Sequence, residues 1–103
     1  MSRRLIVRPE AEADITDAAI WYESRDLGLG LELISEIQTA ITRALKDPEL
    51  FPLLRESPAV RRVLTRRFPY RVFFIVRPEE FVVFAVLHAA RHNRIWQHRV
   101  RQQ

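Results

Sequence analysis

The sequence predicts an α+β fold: a short N-terminal strand, an antiparallel helical hairpin packed on an antiparallel sheet, then a C-terminal three-stranded meander and a short basic tail. Three observations carry that reading. Apolar residues recur at helical spacing between Pro9 and Lys46, alternation at strand spacing dominates from Val60 to His88, and prolines cluster between the two regions. With 103 residues, 48% of them hydrophobic, the chain suffices for one core, so residues 1–103 are read as a single domain.

Arg3–Arg8 (RRLIVR) has a β-branched apolar centre and stops at Pro9, which marks a short first strand. Pro9 suits the first position of a helix, and Glu10, Glu12 and Asp14 follow where the helix dipole favours negative charge. Ala11, Ile15, Ala18 and Tyr22 then form an apolar stripe, with Asp14, Asp17 and Trp21 on a neighbouring face, and the pair Gly28 and Gly30 ends the run. Leu31, Ile34, Ile37, Ile41 and Leu45 predict a second amphipathic helix that Asp47-Pro48 terminates. So short a connection makes the two helices an antiparallel hairpin. The three prolines of Pro48–Pro58 (PELFPLLRESP) predict a loop packed by Phe51, Leu53 and Leu54.

Val60–Phe68, Tyr70–Arg77 and Phe81–His88 read as the three strands of a meander, with a tight turn at RPEE, 77–80. The middle strand places Tyr70, Val72, Phe74 and Val76 on one face and Arg71, Phe73, Ile75 and Arg77 on the other. Residues 81–88 are apolar on both faces except for His88, the pattern of a strand covered on both sides. One helical hairpin covers only one face. Either residues 89–103 fold back over the second, or a partner chain fills it. The partner is the preferred expectation, because apolar patches of several hundred square ångströms mark interaction sites.

Charge divides the chain. Residues 1–50 hold six Lys/Arg against ten Asp/Glu, residues 51–103 eleven Arg against three Glu. Such a basic half suits nucleic acid, an acidic protein partner, or plain solubility of an edge strand, and arginine abundance also follows from GC-rich codon usage. The absence of cysteine excludes disulfides and thiolate chemistry. No apolar run approaches membrane-spanning length and no signal-peptide core opens the chain, so a soluble, cytoplasmic protein without membrane association is expected.

The stretch HAARHNRIWQHR, 88–99, holds all three histidines. His88 and His92 have zinc-like spacing, but Ala89 stands where a metalloprotease motif needs glutamate, and His88 closes a strand; neither a metal nor another cofactor is expected. Metal-free RNA cleavage needs a base, an acid and cations for the phosphorane, which His88, Arg71 and Arg91 are placed to supply, with Arg62 and Arg66 one strand further out. The structural reading of His88 is a hydrogen-bonding group at a strand end. The pairs Arg61-Arg62 and Arg66-Arg67 each send one guanidinium to either face if both lie in a strand, and Trp96 reads as a packing anchor.

Taken in order, AEADITDAAIWYE (11–23), DPELFPLL (47–54), RRVLTRRFPYRVFF (61–74) and VLHAARHNRIWQHR (86–99) resemble the RelE/ParE superfamily of type II toxin–antitoxin modules, closest to its ParE-like, plasmid-stabilisation branch. The resemblance implies a growth-inhibiting toxin neutralised by an antitoxin whose acidic C-terminal segment wraps it. It also implies one of two targets, DNA gyrase for ParE-like members or messenger RNA on the ribosome for RelE-like endoribonucleases. No tyrosine follows Tyr70 and the single lysine, Lys46, lies on the hairpin, which favours the ParE-like branch. A non-toxic nucleic-acid-binding module or a decayed toxin is the third reading. The residues expected to touch the antitoxin are Trp21, Tyr22, Arg62, Arg66, Arg71, Phe73, Ile75 and Arg91; the expected inhibitory surface is Arg71, His88, Arg91, Arg94 and Arg99. Under the nuclease alternative the catalytic residues are Arg71, His88 and Arg91.

Overall fold

The computed structural model describes residues 3–102; Met1, Ser2 and Gln103, included in the expected domain, lie outside them. The elements run β1 (Arg4–Val7), α1 (Pro9–Arg25), α2 (Leu29–Lys46), a 3₁₀ turn (Pro48–Leu50), β2 (Leu53–Glu56), β3 (Ala59–Leu64), β4 (Tyr70–Val76), β5 (Glu80–His88) and α3 (Arg94–Val100). They build one five-stranded sheet in the order β1-β5-β4-β3-β2. It is mixed and not purely antiparallel: β1 pairs parallel to β5, from Arg4 opposite Glu80 to Val7 opposite Val83, while the other pairs are antiparallel. A parallel neighbour requires a long connection; here the helical hairpin carries the chain from β1 to the far edge at β2, and β3, β4 and β5 return strand by strand until β5 lies beside β1.

Glycine does two different jobs in the hairpin. Gly28 caps α2 at φ 90°, a left-handed conformation that side chains avoid. Gly30 does not end a helix; it lies inside α2, and a Cβ there would stand 2.6 Å from the Ala19 carbonyl oxygen of α1. Glu23 locks the junction, its two carboxylate oxygens accepting the N–H groups of Gly28 at 2.8 Å and Gly30 at 3.0 Å. These bonds hold the Glu23 carboxyl below its ordinary pKa.

The proline segment contains a strand that its composition hid. Pro52 and Pro58 flank β2 and do not interrupt it, so the short edge strand pairs with β3 without losing a ladder hydrogen bond to proline. Conversely, β3 stops at Leu64, four residues short of the expected end. The Thr65 hydroxyl and N–H turn inward to the carbonyls of Phe68 and Tyr70, and the N–H groups of Arg66 and Arg67 donate to Glu36 of α2.

Two apolar layers flank the sheet. On the hairpin side, Ala11, Leu33, Ile37, Ala40, Val72 and Phe74 belong to one buried cluster. On the other side, Val60, Phe73, Ile75, Phe84, Leu87, Trp96 and Val100 form a second. The second layer overturns the preferred expectation that a partner fills this face. α3 folds back over it, turning Trp96 and Val100 inward, and the Trp96 ring stacks on Phe73 with centroids 5.4 Å apart. Phe73 and Ile75, expected on an open surface, are 0% and 3% exposed. A seven-residue amphipathic helix seals the face because two large apolar groups four residues apart reach the same side.

A β-bulge sets which way the end of β5 faces. Phe73 pairs with Ala85 but Phe74 with Val83, so Phe84 is the extra residue and both Phe84 and Ala85 fall on the α3 side. The alternation therefore changes phase, and Val86 and His88 turn toward the hairpin.

Candidate functional site

Tyr70 begins β4 and His88 ends β5, and the register makes them cross-strand partners with rings edge-to-face at 5.4 Å. Tyr22 of α1 packs on the same group, 6.1 Å from Tyr70 and 5.1 Å from Phe68. Burial, together with the neighbouring Tyr22 hydroxyl, raises the Tyr70 pKa, opposed by the charge of Arg91. Asp14, Asp17 and Ala18 of α1 complete a cleft of about 190 Å³ with Tyr70, Val86, His88 and Arg91. The helix face that the sequence assigned to Asp14, Asp17 and Trp21 thus supplies two residues of this wall.

His88 is half-buried, and its Nδ1 accepts the backbone N–H of Ala90 at 3.0 Å. A backbone N–H can only donate, so Nδ1 holds a lone pair and the hydrogen of the ring sits on Nε2. His88 therefore offers a visitor an N–H donor and no basic nitrogen.

Arg71, expected on the same chemical surface, lies on the opposite face of the sheet and is committed to the fold. Its Nη1 donates to Asn93 Oδ1 at 2.7 Å, its Nη2 to the carbonyls of Arg91 at 2.7 Å and His88 at 3.4 Å, and the guanidinium lies 5.1 Å from the Phe73 ring centre. It braces the turn from His88 to Asn93. Burial and the nearby Arg62 both lower its pKa. Arg99 is likewise internal: it forks onto Asp14 at 2.6 and 3.0 Å, and Asp14 also accepts the Val86 N–H at 2.9 Å. Its pKa is raised, chiefly by the bond to Asp14. The sequence reading took Asp14 for a helix-dipole charge and missed this partner, 85 residues away in the chain.

The remaining expected residues divide between surfaces. Trp21 is exposed with Arg25 over its ring at 4.5 Å, whereas Tyr22 is half-buried. Arg62 is half-buried beside Arg71 on the α3 side, while its neighbour Arg61 donates to the Phe51 carbonyl at 2.8 Å. Arg66 is exposed in a turn and not in a strand, and Arg91 and Arg94 are exposed. Arg71, His88 and Arg91 therefore do not form one catalytic cluster. Of these, His88 and Arg91 line the same cleft, whereas Arg71 does not.

The architecture is that of a known class. The chain superposes with a TM-score of 0.73 on a structure described as the chromosomal ParDE TA system from P. aeruginosa, at 18% identity, covering 84% of this chain and 96% of that one. The model of the ParE toxin of the type II toxin–antitoxin system parDE matches residues 5–93, and the chain belongs to that family. No curated protein matches it. Among the described residues no helix is long and apolar enough to cross a membrane.

Proposed function

We propose that this ParE-family chain, as a single toxin domain, is held inactive by a cognate antitoxin and, once free, inhibits DNA gyrase by binding to it, without hydrolytic chemistry of its own. The observation that carries the non-hydrolytic part is the state of the nuclease candidates. His88 has no free basic nitrogen, and the Arg71 guanidinium is engaged by Asn93 and two carbonyls on the far face. In this arrangement His88 presents no free lone pair to act as a base, and Arg71 is not on the cleft side to meet a phosphorane.

The antitoxin reading now rests on different residues from those first expected. With the second sheet face closed, the exposed large apolar side chains of the hairpin are Ile20, Trp21, Leu27 and Leu31, at 63%, 51%, 91% and 74% exposure. They support docking of an apolar segment there. Arg62, Arg66 and Arg91 remain as carboxylate partners for an acidic antitoxin segment.

The test is to express the free chain in bacteria while scoring DNA breaks and transcript integrity, and to incubate the purified chain with gyrase and supercoiled DNA. The proposal expects double-strand breaks with intact transcripts and trapped gyrase–DNA cleavage complexes. Ribosome-dependent transcript cleavage that disappears in His88→Ala would overturn it in favour of the endoribonuclease.

A further inference from the structure

The cleft between α1 and the ends of β4 and β5 shares Arg91 with the surface proposed above for the antitoxin, and its walls carry both signs of charge. Asp14 is already neutralised by Arg99. That leaves Asp17 of α1 and Arg91, beyond β5, as the other charged residues lining the cleft. Among the described residues neither of these two side chains has a hydrogen-bonding or ion-pairing partner. The His88 ring adds one N–H donor, and Tyr70 adds an aromatic surface.

A visitor must satisfy both signs at once. A simple phosphate meets Arg91 but is repelled by Asp17; a lysine or arginine side chain meets Asp17 but is repelled by Arg91. A neutral planar group with an acceptor edge beside a donor edge avoids both conflicts. Guanine is such a group: O6 and N7 accept from an arginine fork or a histidine N–H, while N1–H and the exocyclic amine donate together to a carboxylate. Adenine sets a donor beside N7 and has no paired donors for Asp17, and cytosine offers a single donor group. The cleft, of about 190 Å³ and open to solvent, has room for one flat base.

We propose that this cleft binds guanine, presented either by a free nucleotide or by an unpaired base in a strand. Asp17 takes the donor edge, Arg91 and His88 the acceptor edge, and the sugar and phosphate stay outside the cleft. Aromatic and arginine surfaces of this kind hold splayed-out bases in proteins that read single strands. The inference is independent of the cellular target: a gyrase inhibitor and a non-inhibitory chain bind guanine equally well if the cleft is as described.

The experiment titrates the full chain with the 5′-monophosphates of guanosine, adenosine, cytidine and uridine, following the backbone amides of Asp17 and residues 86–91 by NMR and affinity by calorimetry. Guanosine monophosphate should bind at least about tenfold more tightly than the others, as expected for loss of one bidentate contact. Inosine monophosphate, which lacks the exocyclic amine, should fall between. Asp17→Asn and Arg91→Gln lie on exposed side chains and should leave the fold intact while each weakens guanosine monophosphate about tenfold. An oligothymidine carrying one guanine, compared with all-thymine strand and free nucleotide, identifies the source: tighter binding of the guanine strand assigns it to single strands, equal binding to the nucleotide. Equal response to all four nucleotides, the same response to inorganic phosphate, indifference of the affinity to Asp17→Asn, or no shift at millimolar guanosine monophosphate would each overturn the proposal.

Discussion

Trp96→Ala tests whether the chain seals its own sheet. The indole is 5% exposed, stacked on Phe73 at an interplanar angle of 20°, and belongs to the cluster that closes the α3 face. Deleting a buried ring of this size removes its transfer free energy and leaves a cavity, about 3–5 kcal/mol together. Its N–H bond to Asn93 Oδ1 is long, 3.4 Å, and adds little. Set against a total stability of about 5–15 kcal/mol, the loss is large, and it lowers the melting temperature by more than about 10 °C. Urea denaturation measures the loss. Dye binding and amide exchange of β4 and β5 report whether Phe73, Ile75, Phe84 and Leu87 become accessible as α3 lifts. Trp96→Phe keeps a ring against Phe73 and should lose about 1–2 kcal/mol without new dye binding. If Trp96→Ala costs under about 1 kcal/mol and exposes nothing, the tail does not hold that face closed.

Further expectations concern single contacts. Asp14→Asn and Arg99→Met combined in a double-mutant cycle should show a coupling of about 1–3 kcal/mol, because the pair is bidentate and both side chains are under one-fifth exposed; additivity would show the latch to be inert. Gly30→Ala gains about 1 kcal/mol of helix propensity but forces a Cβ to 2.6 Å from a backbone carbonyl, so denaturant midpoints should fall, and a neutral or stabilised variant would mean α1 and α2 are not in close contact there. Because Glu23 has a folded-state pKa below its ordinary 4.5, its contribution is complete above that value and disappears as pH falls through the lowered one; Glu23→Gln should flatten the acid limb of the stability–pH curve, and an unchanged limb refutes the lock. Nitrogen-15 NMR of the His88 ring should show the hydrogen on Nε2, and a ring protonated on Nδ1 would restore the possibility of a basic Nε2.

What the sequence disclosed and what it hid follow from the range over which each signal acts. Helical and strand periodicity is local, so the hairpin, the face assignment of β4 and the packing role of Trp96 could be read from spacing alone. Pairing is not local: nothing in RLIV states that it joins β5 in parallel, and β2 was masked by prolines that sit at its ends. The phase change at Phe84 leaves no trace in a run where every residue is apolar, yet it decides that His88 faces α1. Arginine was the least legible residue type. Arg71 and Arg99 looked like surface charge because their partners are carbonyls, a side-chain amide and an aspartate that only the fold brings near. The closure of the second face was underestimated because the tail was weighed by its charge, when Trp96 and Val100 four residues apart already describe an amphipathic turn.

The internal arginines make the two sides of the sheet interdependent. Arg71 braces the turn that carries Arg91, and Arg99 ties α3 to Asp14 on α1 across the end of β5. Asp14 is held a third time by the Val86 N–H, next to the bulge that orients His88. The same carboxylate therefore anchors the helix that seals one face and lines the cleft on the other. An isolated ion pair of this kind adds little stability beyond what an apolar substitute would give. Its physical consequence is geometric: α3 cannot leave its face without freeing Asp14 toward the cleft, adding a second unpaired carboxylate beside Asp17 and strengthening the negative wall that Arg91 faces.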